Sequence, residues 1–171
     1  LIQLRSLNLP RDAKALHLIF GDEESCRYML QPATASVEET QALLQGWHSE
    51  HPDLEWALCD ELDGDCLGRI VMIPSGDKVY EVGCTVIPAA RGRGLAGQGV
   101  ALALDVVFDE KCARRIFADI DPDNIASIKT FERLGFKYEG VLRAAWNTHI
   151  GVRDSVMMSL IDSDPKLWRQ R

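Results

Sequence analysis

The sequence has no apolar run near the ~18–20 residues that a membrane-spanning helix needs, and nothing in it resembles a signal peptide. It has no C-x-x-C pair. Its five cysteines, Cys26, Cys59, Cys66, Cys84 and Cys112, are odd in number and scattered. That argues against a disulfide framework and for free thiols in a reducing compartment, the cytoplasm. His48 and His51 stand three apart, but Pro52 ends any helix there and no cysteine near them in sequence offers a further ligand. No metal site is expected from so few donors. Positive charge is also short: 19 Lys and Arg face 26 Asp and Glu, a net charge of −7. Such a chain repels phosphate backbones and is a poor nucleic-acid binder. There is no internal repeat, low-complexity tract or linker. Residues 1–171 therefore read as one domain able to bury its own core.

What is present is unevenly spread. Residues 1–85 hold six Lys and Arg against fifteen Asp and Glu, and residues 86–171 hold thirteen against eleven. The split suggests an anion held by the second half and a cation drawn to the first, although surface acidity also serves solubility.

Periodicity gives the elements. "IQLRSLNL" alternates as a strand. "PRDAKALHLIFGD" reads as a helix from Pro10 to Gly21. Ser36 followed by Glu39 has capping-box spacing and opens a second helix. "LEWALCDEL" and "CLGRIVMI" read as strands joined by the turn "DGD", and "VYEVGCTVI" as a third strand ended by Pro88. A helix is predicted over 95–112, a strand at "RRIFADI", a helix over 124–134 ended by Gly135, and strands at "FKYEGVLRAAW" and "RDSVMMSLI". The order predicts one α/β (α+β) domain around a mixed sheet.

The stretch "PAARGRGLAGQG" lies between a strand and a helix. A helix N-terminus leaves its first N–H groups without intrahelical partners and carries the positive end of the helix dipole. Gly92, Gly94, Ala96 and Gly97 let an anion reach those groups, and Arg91 and Arg93 add charge suited to phosphate. The competing reading is a flexible turn with solvated arginines. A P-loop is excluded because no lysine follows. A dinucleotide fingerprint fits poorly, because the turn follows a meander rather than the first strand of a parallel unit.

Arg91-x-x-Gly94-x-Ala96 after a strand is similar to the [QR]-x-x-G-x-[GA] signature of the GNAT superfamily of acetyl-CoA-dependent N-acetyltransferases. Asn124, Ser127, Gly135 and Phe136, in "DPDNIASIKTFERLGFKYEGVLR", resemble the second half of that core, in the manner of the ribosomal-protein N-acetyltransferase-like branch. The resemblance spans nearly the whole chain. It implies a mixed, mostly antiparallel sheet of six to seven strands flanked by about four helices, with strands 79–87 and 115–121 splayed into a V. It further implies acetyl-CoA as cosubstrate. The pyrophosphate would lie on backbone N–H groups of Arg91, Gly92, Arg93, Gly94, Leu95, Ala96 and Gly97. The pantetheine arm would lie along Thr85 and Val86, and Asn124 and Ser127 would face the thioester.

The reaction so implied is attack of an amine on a thioester. The amine must lose a proton, the developing oxyanion needs a donor, and the thiolate needs a proton or a hydrogen bond. Glu81, in an otherwise apolar strand, is the candidate base, since partial burial raises a carboxyl's proton affinity. Its alternative is a glutamate on a solvated strand face. Many family members have a tyrosine four residues before the glycine of "GF"; here Phe131 stands there and has no proton to give. Ser127 is the replacement candidate, as hydrogen-bond donor to sulfur, against a serine bonded to its own helix backbone. Backbone N–H groups near Cys84 to Val86 would hold the carbonyl, with Gly83 permitting a bulge. His149, and the acidic stretch containing Asp22, Glu23 and Glu24, would border the acceptor site, against the readings of a surface histidine and of carboxylates that only favour a helix start.

The reading is thus an N-acetyltransferase acting in a ternary complex on a primary amine. Candidate acceptors are a protein N-terminus, a polyamine, an amino acid or an aminoglycoside-like molecule. No nucleic acid or membrane partner is expected, and a homodimer through the terminal strands is compatible with the sequence. The alternative is a non-catalytic acyl-CoA-binding module, for which Phe131 is the hint.

Overall fold

A computed structural model describes residues 2–61 and 63–170. Seven strands form one sheet: β1 (Gln3–Ser6), β2 (Glu55–Cys59), β3 (Gly68–Gly76), β4 (Val79–Val86), β5 (Arg115–Ile120), β6 (Lys137–Thr148) and β7 (Gly151–Ile161). Their spatial order is β1-β2-β3-β4-β5-β7-β6. Every neighbouring pair is antiparallel except β4 and β5. The helices are α1 (Leu9–Phe20), α2 (Glu23–Cys26), α3 (Val37–His48), α4 (Leu95–Asp105) and α5 (Ile125–Leu134).

Local chemistry starts and stops these helices. The Asn8 side chain accepts the Arg11 N–H at 3.2 Å at the start of α1. Ser36 Oγ accepts the Glu39 N–H at 3.1 Å, while the Glu39 carboxylate reaches back to the N–H of Ala35 at 2.8 Å. The second bond lands one residue before the usual capping-box donor. Gly135 ends α5 in the left-handed region, at φ 96°, which glycine adopts without steric cost.

The sheet separates two apolar layers. On one face α4 and α5 cover Ile70, Met72, Val82, Ile116, Ala118, Ile120, Val156, Met158 and Leu160. On the other, α1 and α3 cover Ala57 and Cys59, with Leu16, Phe20 and Leu44 buried between. Because side chains alternate along a strand, Glu81, Phe117, Asp119 and Ser155 lie on this second face. β6 is exposed along almost its whole length.

Several sequence expectations need correction. A single helical turn, α2, begins at Glu23, as the alternative reading of Glu23 and Glu24 has it; Asp22 caps it by accepting the Ser25 N–H at 2.9 Å. Glu23 and Glu24 stand in its first turn, where carboxylates favour the helix dipole. The expected helix over 95–112 is α-helical only to Asp105 and widens into a π-type turn over Val106–Glu110. The link from β2 to β3 runs from 60 to 67 and is longer than "DGD". Arg5 and Arg11 hold its Gly64 carbonyl. β6 and β7 extend to Thr148 and Gly151, so only His149 and Ile150 join them. Gly83 carries no bulge: the register from Val86 to Tyr80 is unbroken, and the shift falls between Pro74 and Gly76. A side chain at Gly83 would stand 2.9 Å from Val71 Cγ1, so close strand packing is what requires glycine there.

All five cysteines are free, and only Cys112 is exposed. His48 Nδ1 is bonded to Glu55 at 2.7 Å, and Glu55 also binds the buried Arg69. Trp168 is buried against Phe108 and donates to Asp105 at 2.9 Å. Among the described residues no helix is long and apolar enough to cross a membrane.

Candidate active site

The parallel ladder between β4 and β5 holds only three residue pairs: Val79 with Arg115, Tyr80 with Ile116, and Glu81 with Phe117. Beyond Glu81, β4 stays paired with β3 as far as Val86, and β5 stays paired with β7 as far as Ile120. The two strands therefore part, and a V opens between Val82–Val86 and Ala118–Ile120. Helices α4 and α5 both begin at the wide end, one after each strand. They pack side by side, and a Cβ on Gly97 would lie 3.6 Å from Thr130 Cγ2.

The open edge of β4 presents backbone groups to the V. The Ile87 N–H donates to the Leu67 carbonyl, on the β3 side, at 2.9 Å. Backbone groups of successive residues point to opposite edges, so those of Val86 and Cys84 face the V and those of Thr85 face β3. Arg91 Nε lies 3.3 Å from the Val86 carbonyl, which agrees. Thr85 Oγ1 is buried and has no hydrogen-bond partner among the described residues, a costly arrangement that invites a partner. The Cys84 side chain lies toward the core, where burial pushes its thiol up to about 11.

The turn after β4 ends on Gly94, whose φ of 72° lies in the left-handed region and which caps α4 without any side-chain bond. The first intrahelical bond runs from the Gln98 N–H to the Gly94 carbonyl at 3.1 Å. Hence the N–H groups of Leu95, Ala96 and Gly97 have no partner within the helix. The Arg91 N–H is already used, donating to the Pro88 carbonyl at 3.2 Å. Its guanidinium also reaches Ser25 Oγ of α2 at 2.5 Å. Arg93 is exposed and stands 3.7 Å from Asp60. A short Cβ-free approach is needed once more inside α4: a side chain on Gly99 would stand 2.8 Å from Leu58 Cδ1 and 3.0 Å from Ile70 Cδ1. Gly99 thus lets α4 sit directly on the sheet and fixes where its N-terminus points.

Glu81 stands at the point where the strands part. It is half-buried, and burial pushes its carboxyl above the usual carboxylate range, with the charge of Asp119 adding to the effect. Among the described residues it forms no hydrogen bond or ion pair. Asn124 caps α5, its side chain accepting the Ser127 N–H at 3.3 Å. The Ser127 hydroxyl is not bonded to its own backbone; in this helix that bond belongs to Thr130, which donates to the Ala126 carbonyl at 2.9 Å. Phe131 is buried edge-on against Phe136, with ring centroids 4.9 Å apart.

Three features were not read from the sequence. Asp119 accepts from Trp146 Nε1 at 2.9 Å and from the Ser155 hydroxyl. Arg153 grips Asp121 at 2.8 Å and Asp123 at 2.5 Å, which fixes the turn that leads into Asn124. His149 Nε2 lies 3.0 Å from the Cys26 carbonyl and docks the β6–β7 turn on α2. A cavity of about 450 Å³ opens between them, lined by Glu23, Glu24, Arg27 and His149 among others. For Asp119 a signal existed: period two in "RRIFADI" sets Arg115, Phe117 and Asp119 on one face. The other features join residues far apart in sequence, which no local pattern links.

A parallel pair splayed inside a mixed sheet, with an open strand edge and an unpaired helix N-terminus at its mouth, forms a cleft able to take an elongated ligand with an anionic end. Comparison with known proteins agrees. The family described as Acetyltransferase (GNAT) domain matches residues 2–137, and the chain belongs to that family. An uncharacterized protein of Bacillus subtilis, YkkB, is 32% identical over 57% of this chain, and the chain spans 58% of that relative's length. The spermidine N(1)-acetyltransferase of Escherichia coli strain K12 is 25% identical over 93% of this chain and 85% of its own. A probable GNAT-family acetyltransferase from Chromobacterium violaceum superposes with a TM-score of 0.84 at 26% identity, over 98% of this chain and 85% of that one. Mycobacterium smegmatis RimJ, solved in complex with CoA-disulfide, shares the fold with a TM-score of 0.78 at 21% identity, over 99% of this chain and 87% of that one.

Proposed function

We propose that the protein transfers an acetyl group from acetyl-CoA to a primary amine by direct attack in a ternary complex. The observation that carries this reading is the unpaired edge at Val82–Val86, which runs from Glu81 to the bare N-terminus of α4. A pantetheine arm supplies amide donors and acceptors at the spacing of a strand, and Cys84 and Val86 offer their backbone groups to it. Its pyrophosphate would be held by the amides from Gly92 to Gly97, with Arg91 and Arg93 adding charge. Arg91 would leave Ser25 or keep it as a bridge to α2. Asn124 and Ser127, at the start of α5, would stand on the thioester side.

In this reading Glu81 accepts the proton that the amine loses, directly or through water, as burial and Asp119 favour. Backbone N–H groups of the open β4 edge steady the carbonyl oxygen. Ser127 donates a hydrogen bond to the departing sulfur. Holding amine and thioester in line supplies much of the acceleration. The acceptor side is the second sheet face, where Glu81 and Asp119 lie, and the cavity bordered by Glu23 and Glu24 adds further acidity. That acidity suits a cationic amine, and a polyamine fits better than a neutral or acidic acceptor. A polyamine is also the substrate named for the Escherichia coli relative.

Incubation with acetyl-CoA and a panel of amines, followed by thiol release, tests the reading. Release that depends on the amine is expected, with di- and polyamines ahead of amino acids. Tight coenzyme A binding without thiol release from any amine would leave an acyl-CoA-binding module instead.

A further inference from the structure

The reading of Glu81 as the base leaves one charged neighbour without a role. Asp119 lies on β5 two residues past Phe117, the partner of Glu81, and on the same sheet face. Its two oxygens are both held: one accepts the Trp146 indole N–H at 2.9 Å, the other the Ser155 hydroxyl. Ser155 is fully buried. Both donors are neutral, so they fix the carboxylate without cancelling its charge. Neighbouring acids are treated differently. Asp121 carries Arg153, and Glu139 carries Arg115 at 2.6 Å. Among the described residues Asp119 has no cation.

We infer that Asp119 is a positioning residue of this reaction: locked by Trp146 and Ser155, its uncompensated carboxylate acts on Glu81 from the same sheet face and keeps that group ready to accept a proton. The inference rests on the assignment of Glu81 as base. Charged groups on the neighbouring strands that share the face of Glu81 are engaged elsewhere. From β3, Arg69 shares its face but is tied to Glu55. From β5, Arg115 is tied to Glu139. Helix α4 packs on the opposite face, and its one charge, Asp105, is held by Trp168 and Arg169. A like charge disfavours ionisation of a carboxyl, and Asp119 is the neighbour that acts on Glu81 in this sense. Neutral donors thus do here what an arginine could not, holding a negative charge in place while leaving it effective.

The test is the pH dependence of turnover at saturating substrates, with one amine throughout so that its own ionisation cancels between variants. In Glu81→Gln the part of the acid limb set by this carboxyl should vanish, leaving the amine's own ionisation. In Asp119→Asn the carboxyl's limb should persist but move to lower pH, while calorimetric affinity for coenzyme A stays at the wild-type value in both. A merely structural Asp119 would lower turnover at every pH without moving the limb. Loss of the carboxyl's limb in Glu81→Gln with no displacement in Asp119→Asn overturns the inference alone. An acid limb unchanged in Glu81→Gln overturns the base assignment and the inference with it. Should Asp119→Asn fail to fold, Asp119→Ser removes the same charge and carries the same expectation.

Discussion

Glu81 and Phe117 are the last residues that the parallel ladder holds opposite each other. One step further the two strands diverge, each kept in place by its other neighbour. A carboxylate at that point lies at the apex of an opening whose walls are strand edges. Its backbone is paired on both sides, with Ile73 and with Phe117, and its side chain is half-buried.

The base assignment predicts a sharp division of effects. Glu81→Gln should lower turnover by about a hundredfold or more, because the amide cannot take a proton. Coenzyme A affinity should change less than about twofold, since in the proposed reading the coenzyme is held by backbone groups further along the V. Steady-state kinetics and calorimetry on the same preparation check both halves.

Ser127→Ala should leave stability within about 0.5 kcal/mol of wild type, because the hydroxyl forms no bond that folding needs. Turnover should fall roughly tenfold, by about 1.4 kcal/mol of lost stabilisation of the leaving sulfur. Unchanged turnover would exclude this side chain from thiolate stabilisation. Asn124→Ala should instead cost about 1 kcal/mol of stability, as the α5 cap is lost.

Two glycines should separate binding from packing. Gly94→Ala forces a side chain into a left-handed conformation at the turn, costing about 1–2 kcal/mol and weakening coenzyme A markedly as the turn reshapes. Gly99→Ala drives a methyl group into Leu58 and Ile70 and should cost about 1–3 kcal/mol with a smaller loss of coenzyme affinity. Urea denaturation beside coenzyme titration distinguishes them.

Acid stability should carry the mark of Glu139. Arg115, with help from Ser159, holds its carboxyl down at about 2. A depressed pKa means that its contribution is complete above the ordinary carboxyl value of about 4.3 and fades as pH falls toward about 2. Its side chain is partly exposed, so solvent weakens the pair. Glu139→Gln should therefore be less stable than wild type near neutrality, and the gap should close below about pH 2. Denaturation midpoints across that range measure it.

Much of the fold was legible because it is written in local patterns. Asn8, Ser36 and Asn124 cap helices with side chains a few residues away, and Gly135 ends one by conformation. Period two gave the strands, and the small residues between β4 and α4 gave the anion turn. Where the local reading slipped, tertiary contact had overridden it. Gly83 serves packing against Val71 rather than a bulge, and Arg5 and Arg11 hold the long β2–β3 link that looked like a tight turn.

The sequence by itself determined which segments become helix or strand, and which turn leaves bare amides for an anion, since both follow from side chains within a few positions of one another. Only the tertiary structure decided that β4 and β5 part after Glu81, that Asp119 is held by Trp146 and Ser155, and that Arg91 reaches Ser25. Those arrangements join residues from 27 to 66 positions apart. Their formation depends on strand register and on competition among many partners for the same space, and no stretch of chain carries that information alone.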